Sequence, residues 1–452
     1  MELFIVEISR YIMILIFALY TFYSYRAFVG KNKEKQNRIF AAQRTLTVLL
    51  HSMMSALLIM QNPTLTAVIL WVCQLVFYFI FIKIYQACYK GLSKLVLNNM
   101  MMCMMVGFIM LERLSTGYAI RQMVLASIAM GICIFVPLFI EKFTILDRLG
   151  WQYALVGILF LLLVFVIGVE KNGSRNWIQF AGIKIQPSEF VKILYVFFMA
   201  SLLSKTTKFK HIVWITCVAA VHVVILVVEK DLGAALIYFI TYIVVLYVAT
   251  TNILYLGAGL AGGSLAAVAA YQLFSHVKTR VYAWQDPWGR INDAGYQVAR
   301  SLFAIGTGGF IGMGLGKGLP DSVPVVESDF IFAAISEELG GVFAICLIMV
   351  YLSSYIMFVN IAMKMKKKFY KLTAFGLSVV FIFQVFLCVG GVTKFIPSTG
   401  VTLPLISYGG SSVMTTIIIF SIIQGMYVLN GREEESLEEG AETEGKRKRR
   451  KN

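Results

Sequence analysis

The chain has 452 residues, 59% of them hydrophobic and only 14% charged, with a mean hydropathy of +0.78. A soluble domain carries about 45–50% apolar and about 25% charged residues, so this excess places the protein in a membrane and excludes soluble enzymes, nucleic-acid-binding modules, disulfide scaffolds and coiled coils. The net charge of +16 is therefore first a matter of topology, and only then of polyanionic partners.

A helix crosses the hydrocarbon core with about 20 apolar residues. In chain order the apolar runs predict thirteen spans, at 8–28, 45–60, 65–86, 95–112, 119–140, 150–169, 188–204, 211–228, 233–250, 253–274, 329–358, 372–393 and 408–430. The second is short, and the eleventh is long enough to tilt or project. Glu2, Glu7 and Arg10 interrupt the start of the first run and no small-residue cleavage site follows it, so it reads as a retained span. Thirteen crossings put the termini on opposite sides. With the N-terminus outside, the inner segments 29–44, 87–94, 141–149, 205–210, 359–371 and the tail hold about 24 of the 40 basic residues. The positive-inside rule selects that orientation, with the C-terminus cytoplasmic, and leaves no charge that calls for nucleic acid. The tail, residues 431–452, is acidic from Glu433 to Glu444 and basic from Lys446 to Lys451, which reads as a solvated, disordered end.

All seven cysteines fall in apolar runs without pairing or C-x-x-C spacing, and His51, His211, His222 and His276 are scattered. Neither a disulfide framework nor a metal-ligand set is indicated.

Function is then sought in four outer segments. Residues 170–189 hold Arg175, Lys184, Trp177 and a Gln186-Pro187-Ser188-Glu189 helix start. A tight turn follows at Glu229-Lys230-Asp231-Leu232-Gly233. The stretch 275–328 is longer than an uncommitted connection normally runs. Its front half sets Asp286 and Asp293 among Lys278, Arg280 and Arg290, with Trp284, Trp288 and Tyr296 suited to the lipid–water interface. Its back half, Gly306 to Gly318, is too glycine-rich for a stable helix and lacks Walker A spacing, since Ile311 and Gly318 occupy the critical places. Two readings of it stand: a re-entrant hairpin buried against protein, or a cradle whose N–H groups bind a phosphorylated headgroup. The fourth segment, 394–412, runs from Lys394 through Pro397 and Pro404 to Ser412. Glu337 and Glu338 inside the eleventh span, and Glu189 with Lys192 in the seventh, are charges at membrane depth. They fit either a structural ion-pair network or a polar cavity.

The strings Gly173-Ser-Arg-Asn-Trp177, Gln186-Pro-Ser-Glu189, Asp231-Leu-Gly233, Gly295-Tyr-Gln297, Asp329-Phe-Ile-Phe332, Glu337-Glu-Leu-Gly340, Pro397-Ser-Thr-Gly400 and Ser407-Tyr-Gly-Gly-Ser-Ser412, in this order, resemble the SEDS proteins (FtsW, RodA, SpoVE). The resemblance implies an all-α polytopic fold: a ten-helix core at 95–430 with its catalytic loop at 275–328 before span 11, preceded here by an additional three-helix segment at 1–94. It also implies a peptidoglycan glycosyltransferase of the bacterial cytoplasmic membrane. Such an enzyme polymerises lipid II and undecaprenyl-pyrophosphate-linked glycan at the outer face, beside a class B penicillin-binding protein and other cell-wall synthesis proteins of division, elongation or sporulation. A lipid II transporter and a non-catalytic scaffold are the competing readings.

Strand extension needs a carboxylate base, and cations or a divalent metal such as Mg or Mn for the leaving pyrophosphate. No resident cofactor or metal ligand is otherwise named. In the family a loop Asp is the presumed base; an ungapped match from Gly295 puts Arg290 at its position, leaving Asp293 and Asp286 as substitutes within reach. Arg175, Lys394 and Arg290 are the expected pyrophosphate cations, with Glu327 and Asp329 as further substrate-side carboxylates. Glu189, Lys192, Glu337, Glu338, Ser407, Gly409 and Gly410 are expected to shape the cavity.

Overall fold

The computed structural model describes residues 2–29, 32–171, 174–180 and 183–449, without the side chains of 2–3, 144, 170–175, 180, 183 and 432–449. Gly173 and the side chain of Arg175 thus lie outside the described residues, as does the end of the basic tail. The N-terminal group comprises α1 (Glu2–Val29), α2 (Lys33–Gln61) and α3 (Leu65–Cys88). There follow α4 (Lys94–Leu114), α5 (Thr116–Cys133), α6 (Val136–Lys142), α7 (Gly150–Ile167), α8 (Pro187–Lys205), α9 (Phe209–Val228), α10 (Leu232–Thr250) and α11 (Ile253–Leu273). After α12 (Ser275–Gln285) and α13 (Tyr296–Gly308), the chain ends in α14 (Ile331–Lys364), α15 (Lys368–Val392) and α16 (Gly410–Arg449).

Among the described residues twelve spans are long and apolar enough to cross a membrane, with α5 and α6 forming one of them. The pair breaks at Ile134–Phe135 because Pro137, in the first turn of α6, has no N–H to offer the end of α5. Helix α2 supplies the thirteenth crossing expected from sequence. Its 29 residues reach about 43 Å at ~1.5 Å per residue, but its inward face is polar, with Gln43, Thr47, His51 and Ser55 all buried. Those residues lower its hydropathy, and Gln43 has partners across the bundle. Gln43 Nε2 donates to Ser24 Oγ at 2.9 Å, and Asn98 Nδ2 donates to Gln43 Oε1 at 3.1 Å. Tyr20 Oη donates to Asn99 Oδ1 at 2.9 Å, while Asn99 Nδ2 reaches Ser354 Oγ at 3.2 Å. This chain of bonds ties α1, α2, α4 and α14 together where lipid offers no alternative partner. Helix α4, buried along nearly its whole length, is the hub.

Between α7 and α8 lies an antiparallel sheet, β1 (Gly168–Lys171), β2 (Ser174–Phe180) and β3 (Ile183–Ile185), in the order 1-2-3. Val169 faces Trp177, and Gln179 faces Lys184. The all-helical expectation passed over these strands, although the alternation from Trp177 to Ile185 is a strand pattern.

The glycine-rich segment after α13 is a buried hairpin. Met313 and Gly314 donate their N–H groups to the carbonyls of Glu337 and Glu338, each at 2.9 Å, and Gly341 N–H returns to Gly309 O at 2.8 Å. The carbonyls of α14 are free for this because Gly340, at φ 91° and ψ 164°, interrupts the helix. With these amides committed, the phosphate-cradle reading gives way to the hairpin. Three other helices grip the same loop: Arg10 Nη1 donates to Gly312 O at 3.1 Å, Gln61 Nε2 to Leu315 O at 2.7 Å, and Arg113 Nη2 to Gly318 O at 3.2 Å.

A Cβ at Gly340 would lie 2.4 Å from Gly312 N in addition to the strain of its positive φ. Gly340→Ala should therefore cost at least about 1–3 kcal/mol, seen as a lowered unfolding midpoint in detergent. Gly306→Ala, where a Cβ meets nothing within 4 Å, should leave that midpoint within experimental error.

Candidate functional site

A cavity of about 910 Å³ opens where the sheet, the starts of α5, α8, α10, α14 and α16, and the loop 393–409 meet. Its charged lining consists of Arg121, Lys184, Lys230 and Arg280 with Asp231, Glu327 and Asp329. One wall is apolar. Ile120, Val124 and Ile128 of α5 line it and are exposed, so the polar chamber adjoins an apolar strip.

Asp231 is the most heavily bonded group in it. Oδ2 accepts from Asn176 Nδ2 at 3.0 Å, Gln186 Nε2 at 2.8 Å and Ser188 Oγ at 3.0 Å, and Oδ1 accepts from Ala234 N–H at 3.1 Å as the N-cap of α10. Arg280 enters from α12 and donates to Ser398 O at 2.9 Å. Burial lowers its pKa, an effect opposed by the charges of Asp329 and Asp231. Gly400, at φ 73°, lets the chain pass close to this pair: a Cβ there would stand 3.4 Å from Asp329 Oδ2 and 3.7 Å from Arg280 Nη2. Ser407 is buried beneath the floor, donating to Ser328 O and accepting Leu403 N–H at 2.8 Å, while Tyr408 N–H donates to Glu327 O at 2.7 Å. Gly409 and Gly410 line the cavity directly.

The other expected site residues stand elsewhere. Glu189 and Lys192 pair at 2.8 Å beside a satellite cavity of about 30 Å³ that shares Gln186, Asp231, Gly400 and Thr402 with the large one. Lys192 Nζ also donates to Gln384 Oε1 at 2.8 Å. Glu337 and Glu338 belong to the hairpin: Glu338 pairs with Arg113 at 3.0 Å and accepts Gly316 N–H at 3.0 Å, and Glu337 accepts Leu319 N–H at 3.2 Å. Asp286 and Asp293 are held in their own turn, Asp286 accepting Gly289 N–H at 2.9 Å and Asp293 accepting Ala294 N–H, and neither lines the cavity. Arg290 lies with its guanidinium 5.0 Å from the Tyr282 ring, and Lys394 has its carbonyl bonded by Trp284 Nε1 at 3.0 Å; both are outside the lining. Among the described residues no group of three or more His, Cys, Asp and Glu side chains is placed to hold a metal ion.

None of the four cavity cations is among the pyrophosphate cations expected from sequence, Arg175, Lys394 and Arg290. The only cue to Arg121 was a charge at the edge of an apolar run; Arg280 was visible but undistinguished among Lys278 and Arg290.

The fold and the cavity define a polytopic membrane protein with a charged chamber, one wall of which is apolar. The chain belongs to the FtsW/RodA/SpoVE family of cell cycle proteins, whose model matches residues 88–429. It is 38% identical over 322 residues to a peptidoglycan glycosyltransferase RodA of Mycobacterium tuberculosis, covering 67% of this chain and 69% of the relative. It is 32% identical over 321 residues to the stage V sporulation protein E of Bacillus subtilis, covering 68% and 86%. Among solved structures, a chain described under the structural coordination of polymerization and crosslinking by a peptidoglycan synthase complex aligns with TM-score 0.62 at 24% identity, covering 76% of this chain and 98% of that one. Thermus thermophilus RodA aligns with TM-score 0.54 at 22% identity, covering 75% and 97%. Helices α1 and α2, and nearly all of α3, precede the matched region.

Beside the cavity, Glu229 is buried with Oε1 unpartnered. Burial, and then the charge of Asp231, push its pKa from 4.5 to about 8. Because the raised value belongs to the folded state, its stabilising effect is complete below about 4.5 and is lost as pH rises through about 8. The unfolding midpoint should accordingly fall between pH 6 and pH 9, and Glu229→Gln, which has no proton to lose, should reduce that fall.

Proposed function

We propose that this chain is a peptidoglycan glycosyltransferase that polymerises lipid II at the outer face of the bacterial cytoplasmic membrane. The observation that carries this reading is the union, in one cavity, of four cations, three carboxylates and an apolar strip of α5. A lipid-linked disaccharide pyrophosphate has the matching parts: a tail for the strip, a pyrophosphate for the cations, and sugars for the polar chamber. The names of the relatives point to the same chemistry.

In the reaction the 4-hydroxyl of an acceptor sugar attacks the anomeric carbon of the donor. The new glycosidic C–O bond forms as the bond from that carbon to the pyrophosphate breaks, and the hydroxyl proton passes to a carboxylate. The departing pyrophosphate keeps the bonding pair, and the cavity cations neutralise its growing charge. Arg280, already fixed by Ser398, needs no reorganisation to do so, whereas Arg121 and Lys184 are more exposed and suit capture of the incoming charge.

Charge placement supports the orientation. The connections at the end remote from the cavity carry Lys205 and Lys208, then Lys364, Lys366, Lys367 and Lys368, as cytoplasmic loops do. The cavity and the N-terminus are then outside and the C-terminus inside. In this reading α1–α3 are an addition to a ten-span core, and a class B penicillin-binding protein is the partner.

Full-length protein in detergent with fluorescent lipid II, alone and with such a partner, should give glycan strands. Arg121→Gln should lower the rate about 10–100-fold, the worth of one charge-assisted bond. Absence of strands under both conditions would refute the reading, and translocation of labelled lipid II in vesicles without strand formation would establish a transporter instead.

A further inference from the structure

We infer that Glu327 is the carboxylate that takes the proton of the attacking hydroxyl in this chain, an assignment that rests on the glycosyl-transfer reading above. The position at which the family's loop Asp is expected holds Arg290, and this cation lies against Tyr282 outside the cavity. The neighbouring Asp286 and Asp293 do not replace it, because each carboxylate accepts an N–H of its own turn and neither lines the chamber. The base is therefore sought among the three carboxylates the cavity contains.

Two of the three are committed. Asp231 accepts four hydrogen bonds that favour its anion and occupy the lone pairs a proton would need. Asp329 lies beside Arg280 at Gly400, where it offsets the charge of a buried guanidinium. Glu327 differs from both. It lines the cavity half-buried, and among the described residues its carboxylate makes no hydrogen bond or ion pair.

Its backbone, by contrast, is clamped. The Glu327 carbonyl accepts Tyr408 N–H at 2.7 Å, and the next carbonyl, of Ser328, accepts Ser407 Oγ. The Ser407–Gly410 motif thereby holds the root of the side chain still while the carboxylate stays open to the chamber. Around it stand Tyr118, whose ring is 4.7 Å from that of Tyr408, and Arg121. A proton acceptor near the cavity cations faces the region where a hydroxyl would approach a pyrophosphate-bearing carbon. The O–H bond of that hydroxyl breaks as its oxygen bonds to carbon, Glu327 gains the proton, and the pyrophosphate leaves with the electron pair.

The test is single-turnover and steady-state polymerisation of fluorescent lipid II by the full-length protein with its partner present. Glu327→Gln should lower kcat about 10²–10⁴-fold, the range for loss of a positioned base, with KM changed less than threefold. Glu327→Asp should recover part of that rate, and formate added to Glu327→Ala should recover some as well. Asp293→Asn and Asp286→Asn should each cost less than tenfold. An active Glu327→Gln beside a failing Asp293→Asn or Asp329→Asn overturns the assignment and moves the base to that residue. A uniform loss in Glu327→Gln, Glu327→Asp and formate-treated Glu327→Ala, accompanied by a lowered unfolding midpoint, also overturns it by making Glu327 structural. An inactive wild-type chain refutes the glycosyl-transfer reading itself and is separable from these outcomes.

Discussion

The site depends on the Asp231 carboxylate. Its four donors come from β2, the linker before α8, the first turn of α8 and the start of α10, so one negative charge fixes the sheet against two helices. A carboxylate this far from bulk water is tolerated only when such donors replace its hydration. Cap and anchor are also the same residue, since the N-cap position puts the charge at the positive end of α10. The local field then constrains the neighbours. Burial, and then the charge of Asp231, raise the pKa of Glu229, two residues earlier, while burial lowers that of Arg280 and the charges of Asp329 and Asp231 oppose the shift. The raised carboxylate and the opposed shift at Arg280 both follow from desolvation and proximity.

A second constraint works on the loop that leads into α14. The glycine hairpin occupies space next to α14 that side chains would fill, and Gly312 and Gly340 approach so closely that neither admits a Cβ. Its polar groups are satisfied by Glu337, Glu338 and Arg113 of α14 and α4, and by Arg10 and Gln61 of α1 and α2. The segment before the family match is therefore not a passive appendage. It packs on α4 and α14 through the Asn98–Asn99 network and seals the end of the loop that leads into α14, the helix that begins just after Glu327 and Asp329.

What was legible in the sequence divides along the range of the interactions. Spans were visible because the bilayer demands about 20 apolar residues whatever their neighbours do, and every predicted run has a helix. Helix α2 was read as the short run 45–60 because its first third, with Lys35, Arg38 and Arg44, looks like a loop by composition and becomes helix only with α1 and α4 beside it. The charges at membrane depth announced themselves, but not their partners: Arg113 lies 225 positions from Glu338, and Gln384 192 from Lys192. Local strings pointed to the right motifs, and the cavity does draw on the 170–189, 229–233 and 394–412 segments. The 275–328 stretch brings Arg280 and Glu327 to the cavity, whereas Asp286 and Asp293 stand outside its lining; Asp is a turn former as readily as a chemical residue, and a carboxylate bonded to its own turn looks identical in sequence to one aimed at a substrate.

That ambiguity bears on how a membrane site of this kind can tolerate the loss of a charge at a given loop position. The chamber holds cations from α5, β3, the α9–α10 turn and α12, and carboxylates from the α10 cap and the approach to α14. Its electrostatic character is thus spread over five pieces of backbone, each fixed independently. Arg290 lies against Tyr282, outside the lining. What the chemistry demands is a proton acceptor with free lone pairs and a rigid root, at a measured distance from the cations. In a chamber where one carboxylate is consumed by structure and another by a buried arginine, that demand singles out a side chain whose backbone is fastened and whose head is not.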